Sequence, residues 1–397
     1  MKTDIKYDFL NVPNRANTGA EKWRELDFRI NTSNKELPEN VIPFSVADME
    51  FLTAPEIRDG LCDFIQKNVL GYTCKTDEYL KTVCSYMERK HSYRPCEEEI
   101  VETRGVVEGV FSAVRAFSDE GDGIIMLTPV YYPLYRAIEY NKRKLLNCPL
   151  LLTEEGYKVD FELFEKLAKE AKLFILCSPH NPTGRVWKNE ELVHLGEICL
   201  ENGVFVLSDE IHMDIVMKGH KHIMFPSISK DFANNSVVFT SPSKSFNLAG
   251  LQTSNAFVKS KEKRDLLLKA LADSFAFNEC GVLGYKACSI AYEKCDEWLK
   301  GALEVIETNK NLIENYIKDN IPNVTVFSLE GTYLMWLDMR KTGFSAEELE
   351  KRMKDNYLYF DEGYIFGEGG KGFERWNIAC PTKYIKAALP RLKEALL

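Results

Sequence analysis

The first feature of this 397-residue chain that could do chemistry is a lysine flanked by small hydroxyl residues after an apolar run: Val237-Val238-Phe239-Thr240-Ser241-Pro242-Ser243-Lys244-Ser245-Phe246-Asn247. A lysine that condenses with an aldehyde needs a neutral amine at working pH. Hydroxyls and turn amides beside it can hold a phosphate, and this is how a protein presents lysine to pyridoxal phosphate. Two further apolar runs end in reactive residues. Leu173-Phe174-Ile175-Leu176-Cys177-Ser178 leads into Pro179-His180-Asn181-Pro182-Thr183-Gly184, and Gly203-Val204-Phe205-Val206-Leu207-Ser208 ends in Asp209-Glu210. Singly, each has an ordinary reading as a solvated lysine, a turn or a helix cap. Taken in order, they set Asn181, Asp209 and Lys244 at the carboxyl ends of strands, where open α/β sheets place their ligands.

Several stretches spread over almost the whole chain narrow the reading. They are Val41-Ile42-Pro43-Phe44-Ser45-Val46-Ala47-Asp48-Met49-Glu50-Phe51, Ser208-Asp209-Glu210-Ile211-His212, Ser243 through Gln252, and Phe373-Glu374-Arg375-Trp376-Asn377-Ile378-Ala379-Cys380-Pro381. With these, the sequence resembles the fold-type I pyridoxal-phosphate enzymes of the class I/II aminotransferase group, and within it the cystathionine β-lyase or cysteine desulfhydrase branch. The resemblance implies a large α/β domain with a mainly parallel sheet between helices, a smaller α+β domain, bound pyridoxal 5'-phosphate and an amino-acid substrate.

It also implies roles. Lys244 would bind the cofactor aldehyde and move the α-proton, Asp209 would pair with the ring nitrogen, and Asn181 would bond the ring's phenolic oxygen. Tyr131, in Pro129-Val130-Tyr131-Tyr132-Pro133, matches the aromatic residue that stacks on the ring; the alternatives are Tyr132 or a simple core residue. Arg375 resembles the residue that grips the substrate carboxylate, a task suited to a planar guanidinium; its alternative is a surface salt bridge. Ala47 belongs to the stretch similar to the branch's active-site loop. For the phosphate, Gly105-Val106-Val107 precedes a helix-like stretch, so its amides sit at a positive helix end, and Ser241 and Ser243 can add hydroxyls. Tyr72, in Leu70-Gly71-Tyr72-Thr73, resembles the tyrosine that these dimers lend to the neighbouring subunit's phosphate, which implies a homodimer with shared active sites.

Two positions depart from the aminotransferase pattern toward the lyase branch. The arginine often found eight residues after the lysine is Gln252 here, and the tyrosine three residues after the aspartate is His212. Trp376 stands where the branch more often has a smaller aliphatic residue. When the α-proton leaves, a thiolate at Cβ can be expelled, giving pyruvate and ammonia; without a leaving group, transamination follows. The reading is a carbon–sulfur β-lyase acting on cystathionine or cysteine-like amino acids, with an aminotransferase as the alternative.

Between roughly residues 50 and 290, strand-like and helix-like segments alternate, as in a parallel sheet covered by helices. Residues 50–290 are therefore expected to form the cofactor domain and 291–397 the small domain. The resemblance implies that 1–49 packs with the latter. Glu293 to Asp319 is a charged amphipathic stretch, and the two domains are expected to share a continuous helix. Val324-Thr325-Val326-Phe327 and Thr332-Tyr333-Leu334-Met335-Trp336-Leu337 look like strands.

Composition excludes several classes. With 45% hydrophobic residues the chain can bury a sizeable core. No run approaches ~18 apolar residues and no apolar segment follows the charged start, so neither a membrane span nor an export signal is expected and the compartment is read as cytoplasmic. A net charge of -9 disfavours nucleic acid. The 11 cysteines include no Cys-x-x-Cys and read as buried thiols; the close pair His220-Lys221-His222 lacks companions for a metal. Gly367-Glu368-Gly369-Gly370-Lys371-Gly372 spells G-x-G-x-x-G but leads into a strand rather than a helix, so it fails as a dinucleotide fingerprint. Ser241-Pro242-Ser243-Lys244, Ser245-Phe246-Asn247 and Lys341-Thr342-Gly343 match the marks of penicillin-recognising serine enzymes, although the first two touch where that mechanism needs separate elements. A cofactor-bound regulatory protein with idle chemistry is a third class, opposed by the intact set of Lys244, Asp209, Asn181 and Arg375.

Overall fold

The computed structural model describes residues 6–32, 37–274 and 279–397. The chain lays down β1 (Ile100–Thr103), β2 (Gly123–Thr128), β3 (Lys144–Pro149), a short hairpin of β4 (Leu151–Thr153) and β5 (Gly156–Lys158), then β6 (Ala171–Cys177), β7 (Phe205–Asp209), β8 (Ser236–Thr240) and β9 (Ser254–Phe257). Seven of these form one sheet in the order β1-β9-β8-β7-β6-β2-β3. Only β9 runs antiparallel to its neighbours; the other pairings are parallel.

Side chains alternate across this sheet, as a period of two demands. Ile124, Met126, Leu173, Ile175, Phe205 and Leu207 face one apolar layer, shared with helix Val106–Phe117. Ile125, Leu127, Phe174, Leu176 and Val206 face the other, against helices Phe161–Ala168 and Asn189–Glu201. Because both faces are covered, the strands read as continuous apolar runs rather than alternating ones.

A second, four-stranded sheet follows from β10 (Thr325–Val326), β11 (Leu334–Asp338), β12 (Asp361–Glu362) and β13 (Phe373–Asn377). Its order is β10-β11-β13-β12, antiparallel throughout. Segment 41–50 runs beside it: Phe44 N donates to Tyr359 O (2.8 Å), Asn377 N to Phe44 O (2.8 Å) and Glu50 N to Ala379 O (2.9 Å). Trp376 packs its ring against Phe44 and Phe360, at 5.5 and 5.0 Å between centroids. The unusual tryptophan thus fills the seam between the N-terminal segment and this sheet.

The expected continuous helix is instead two, Val282–Lys294 and Asp296–Asn320, because the backbone leaves helical geometry at the intervening Cys295 (φ −109°, ψ 17°). The glycine-rich run before β13 serves a close approach of two chain segments. A Cβ on Gly370 would lie 2.0 Å from Gly363 O, and one on Gly363 would lie 2.1 Å from Gly370 O. Among the described residues, no helix is long and apolar enough to cross a membrane.

Candidate active site

Parallel β6, β7 and β8 are neighbours, with Cys177 opposite Asp209 and Asp209 opposite Phe239. Their carboxyl ends therefore open on one place, and the residues just beyond them surround a cavity of about 220 Å³. Lys244, Asp209, Asn181, Tyr131, His212 and Ala47 line it, and so do Gly105, Val106, Val107, Ser243 and Gln252. Size alone does not single it out. A hollow of about 530 Å³ lies against helices Asp77–His91 and Val282–Lys294, but it holds no comparable set of groups.

Lys244 sits in the single turn Pro242–Ser245, started by Ser241, whose Oγ accepts from Ser243 N at 3.0 Å. The Ser241 hydroxyl donates to Thr253 O at 2.7 Å and lies outside the cavity lining. That commitment, and its burial, deprive the serine-enzyme reading of an accessible nucleophile. Ser245 anchors the other side of the turn through Asp214 (2.6 Å), which also meets His91 Nε2 at 2.8 Å.

The Lys244 residue is only partly buried, but its amine lies inside and donates to Ala47 O at 2.6 Å. Burial lowers its pKa to about 8; Asp48 and Asp209 oppose that fall and Arg375 adds to it. Asp209 is pushed up to about 6 by burial, against the pull of the Ile211 amide (3.2 Å) and of Lys244. His212 is held well below its ordinary value by burial and by the nearby Lys244 and Arg375, so its imidazole is neutral. Its Nδ1 is buried without a partner among the described residues.

Of the two adjacent tyrosines, Tyr131 lines the cavity, while Tyr132 turns toward Arg136, 5.0 Å from ring to guanidinium. Arg375 is the middle residue of β13, within the strand rather than before it, and it is buried. One terminal nitrogen donates to Asn181 Oδ1 at 2.9 Å and the other pairs with Asp361, its register partner on β12. Its Nε is buried without a partner among the described residues. Arg375 is therefore joined to the cavity through Asn181 but is not part of its wall. Tyr72 lies apart, fully exposed.

The loop that carries Ala47 is held partly from the stretches named above and partly by residues that no motif announces. Arg15 bridges Asp48 (2.7 Å) and Glu50 (2.7 Å), and Lys22 donates to Asp48 O at 3.0 Å. Asn247 pairs with the Met49 backbone on both sides (2.9 Å each), Asn377 donates to Val46 O and Asp48 O, and Tyr333 OH donates to Ala47 O at 2.9 Å. Arg104 also lines the cavity, next to Gly105. Asn247 and Asn377 lie in stretches that carry the resemblance; Arg15, Lys22, Tyr333 and Asp361 had no functional signal in the sequence.

His222 of the close histidine pair meets Glu210 at 2.7 Å, so its ring belongs to a buried network. Lys341-Thr342-Gly343 lies in and after a 3-10 turn, Arg340–Thr342, away from the cavity wall.

Comparison with known proteins agrees with this geometry. Residues 39–392 match the family model described as aminotransferase class I and II. Cystathionine beta-lyase PatB of Bacillus subtilis (strain 168) is 38% identical over 385 residues, 96% of this chain and 98% of that protein. The crystal structure of cystalysin from Treponema denticola, which contains a pyridoxal 5'-phosphate cofactor, superposes with a TM-score of 0.94 at 42% identity, covering 98% of each chain. The pyridoxal-phosphate-bound C-S lyase of Staphylococcus hominis gives a TM-score of 0.89 at 29% identity over 99% of each. A match running through both sheets and the whole cavity leaves one conclusion: the chain belongs to the class I and II aminotransferase family.

Proposed function

We propose that this protein is a pyridoxal-phosphate-dependent carbon–sulfur β-lyase that cleaves cystathionine or cysteine-like amino acids to a thiol, pyruvate and ammonia. The observation that carries the reading is the Lys244 amine, set inside a cavity that also presents Asp209 and lowered to about 8. Full-length likeness to PatB and cystalysin supports the lyase branch.

The donor set fits the cofactor. An amine and a carboxylate face the cavity, the orphaned Nδ1 of His212 awaits a polar neighbour, and a Cβ on Gly105 would meet open space. Gly105 has φ +114°, which a side chain would strain, so the backbone there is free to approach an anion. Amides of Gly105, Val106 and Val107, at the start of helix Val106–Phe117, would hold the phosphate together with Ser243, backed by Ser241.

Bound there, pyridoxal phosphate supplies an aldehyde that takes up the substrate amine and a ring that draws electrons from the α-carbon. The rest belongs to the chain. Lys244, displaced by the substrate, takes the α-proton as a general base, which its lowered pKa suits. Asp209 would hold the ring-nitrogen proton, and Tyr131 would offer its ring to the cofactor's. Asn181 has its Oδ1 committed to Arg375, so its amide nitrogen is the group left to donate to the phenolic oxygen. Arg375 would receive the substrate carboxylate, and the fixed Ala47 loop would border the amino-acid end. Once the α-proton has gone, a thiolate at Cβ leaves, and the released enamine hydrolyses to pyruvate and ammonia.

The reading includes a homodimer in which Tyr72 reaches the partner subunit's phosphate, supported by its full exposure beside the exposed apolar Val69 and Leu70. It divides the chain at 1–49, 50–290 and 291–397, supported by the bonds from Phe44 to Tyr359 and Asn377. It places the protein in the cytoplasm, supported by free thiols at all 11 cysteines.

Cofactor-loaded protein given L-cystathionine without any keto acid should release many equivalents of pyruvate per site. A single conversion, renewed only by keto acid, would make it an aminotransferase instead. Arg375→Ala should raise KM about 10- to 100-fold, the range for losing hydrogen bonds to a charged group, with a smaller effect on kcat; an unchanged KM would reduce Arg375 to a structural partner of Asp361. The protonated amine is not nucleophilic, so cofactor capture by the apoprotein should accelerate as pH rises through about 8 and level off above it. A rate flat across that range would point to another amine. Finally, inactive Tyr72→Phe and Lys244→Ala subunits should regain activity when mixed, and failure despite demonstrated subunit exchange would rule out shared sites.

A further inference from the structure

We propose that Arg104 is the cation that neutralises the cofactor phosphate in this chain. A phosphate monoester carries about −1.5 to −2 charges near neutral pH, whereas a helix N-terminus offers only about +0.5. That half charge is already contested. Glu108, in the first turn of helix Val106–Phe117, lines the same cavity, and its Oε2 accepts from Arg104 N at 3.1 Å.

The remaining groups cannot make up the difference. Gln252 stands where an arginine holds the phosphate in many aminotransferases, and it lines the cavity as a neutral amide. His212 is held neutral, and Lys244 is committed to the aldehyde end. Among the described residues lining the cavity, Arg104 is the other cationic side chain. It follows β1 directly and precedes Gly105, which places it beside the amides of the anion-binding end. Its Nε donates to Glu279 O at 3.3 Å, which fixes the arm at the cavity wall. An arginine that arrives from β1 would thus do what an arginine after the lysine turn does in many aminotransferases.

The inference rests on the cofactor reading and not on the reaction. A chain that bound the cofactor tightly but gave no pyruvate would sink the lyase assignment and leave this one standing. The test compares two ligands that differ only in the phosphate, pyridoxal 5'-phosphate and pyridoxal, titrated spectroscopically into the full-length apoprotein. Arg104→Gln should weaken pyridoxal phosphate about 10- to 100-fold, as expected for a charge-assisted contact, and leave pyridoxal unchanged. Arg104→Lys should keep most of the affinity. Adding Gln252→Arg to Arg104→Gln should restore it, which also shows that the variant chain is folded. Equal losses for both ligands, or full affinity for pyridoxal phosphate in Arg104→Gln, would overturn the proposal.

Discussion

Everything in this structure turns on keeping the amine of Lys244 buried yet usable. A fall of its pKa from 10.5 to about 8 corresponds to about 3 kcal/mol against the charged form. Such an amine needs a fixed acceptor, and it has one in Ala47 O at 2.6 Å. The acceptor is a loop carbonyl 197 residues away in sequence, so the loop itself must be immobilised. Arg15, Lys22, Tyr333, Asn247 and Asn377 do this, and between them they reach the N-terminal segment, the turn after β8 and the two central strands of the second sheet. The reactive group and the junction between the sheets are thus held by one set of bonds.

Asn181 ties the second contact across that junction. Its Oδ1 receives Arg375 from β13, while its carbonyl accepts from Tyr131 N at 3.1 Å. Arg375 is buried, and a buried guanidinium without a carboxylate would be costly by several kcal/mol. Asp361 provides the neutralising partner from the adjacent strand, at the register position directly opposite. Arg375 is therefore already oriented, and among the described residues its Nε has no partner.

The cavity itself is short of positive charge. Asp209, Glu108 and a neutral His212 share it with Lys244 and Arg104. Holding an anionic cofactor with backbone amides and one wall-mounted arginine, as proposed, would be a different electrostatic solution from an arginine placed after the lysine turn. Glu108 fits this picture, since burial raises its pKa and Arg104 pulls it back.

By itself, the sequence determined the fold class, the lysine turn, Asp209, Asn181 and the Gly105 helix start. Asn181, Asp209 and Lys244 were legible because they lie at or within a few residues of the ends of apolar strands, and parallel strands between two helix layers read as apolar runs; Gly105 was legible as a glycine opening a helix-like stretch. The two tyrosines at 131 and 132 could be ordered by motif alone; their opposite environments came from the fold. Only tertiary structure decided what holds those residues. Arg15 finds Glu50 at a separation of 35 residues and Arg375 finds Asn181 at 194, with no local pattern to announce either. The helix expected to run unbroken stops at Cys295, and the spacing of apolar residues cannot show a break that a single residue's backbone makes. Chemistry dictates residue types at strand ends, which a sequence displays; charge pairing depends on which distant ends are brought together, and that is settled by packing.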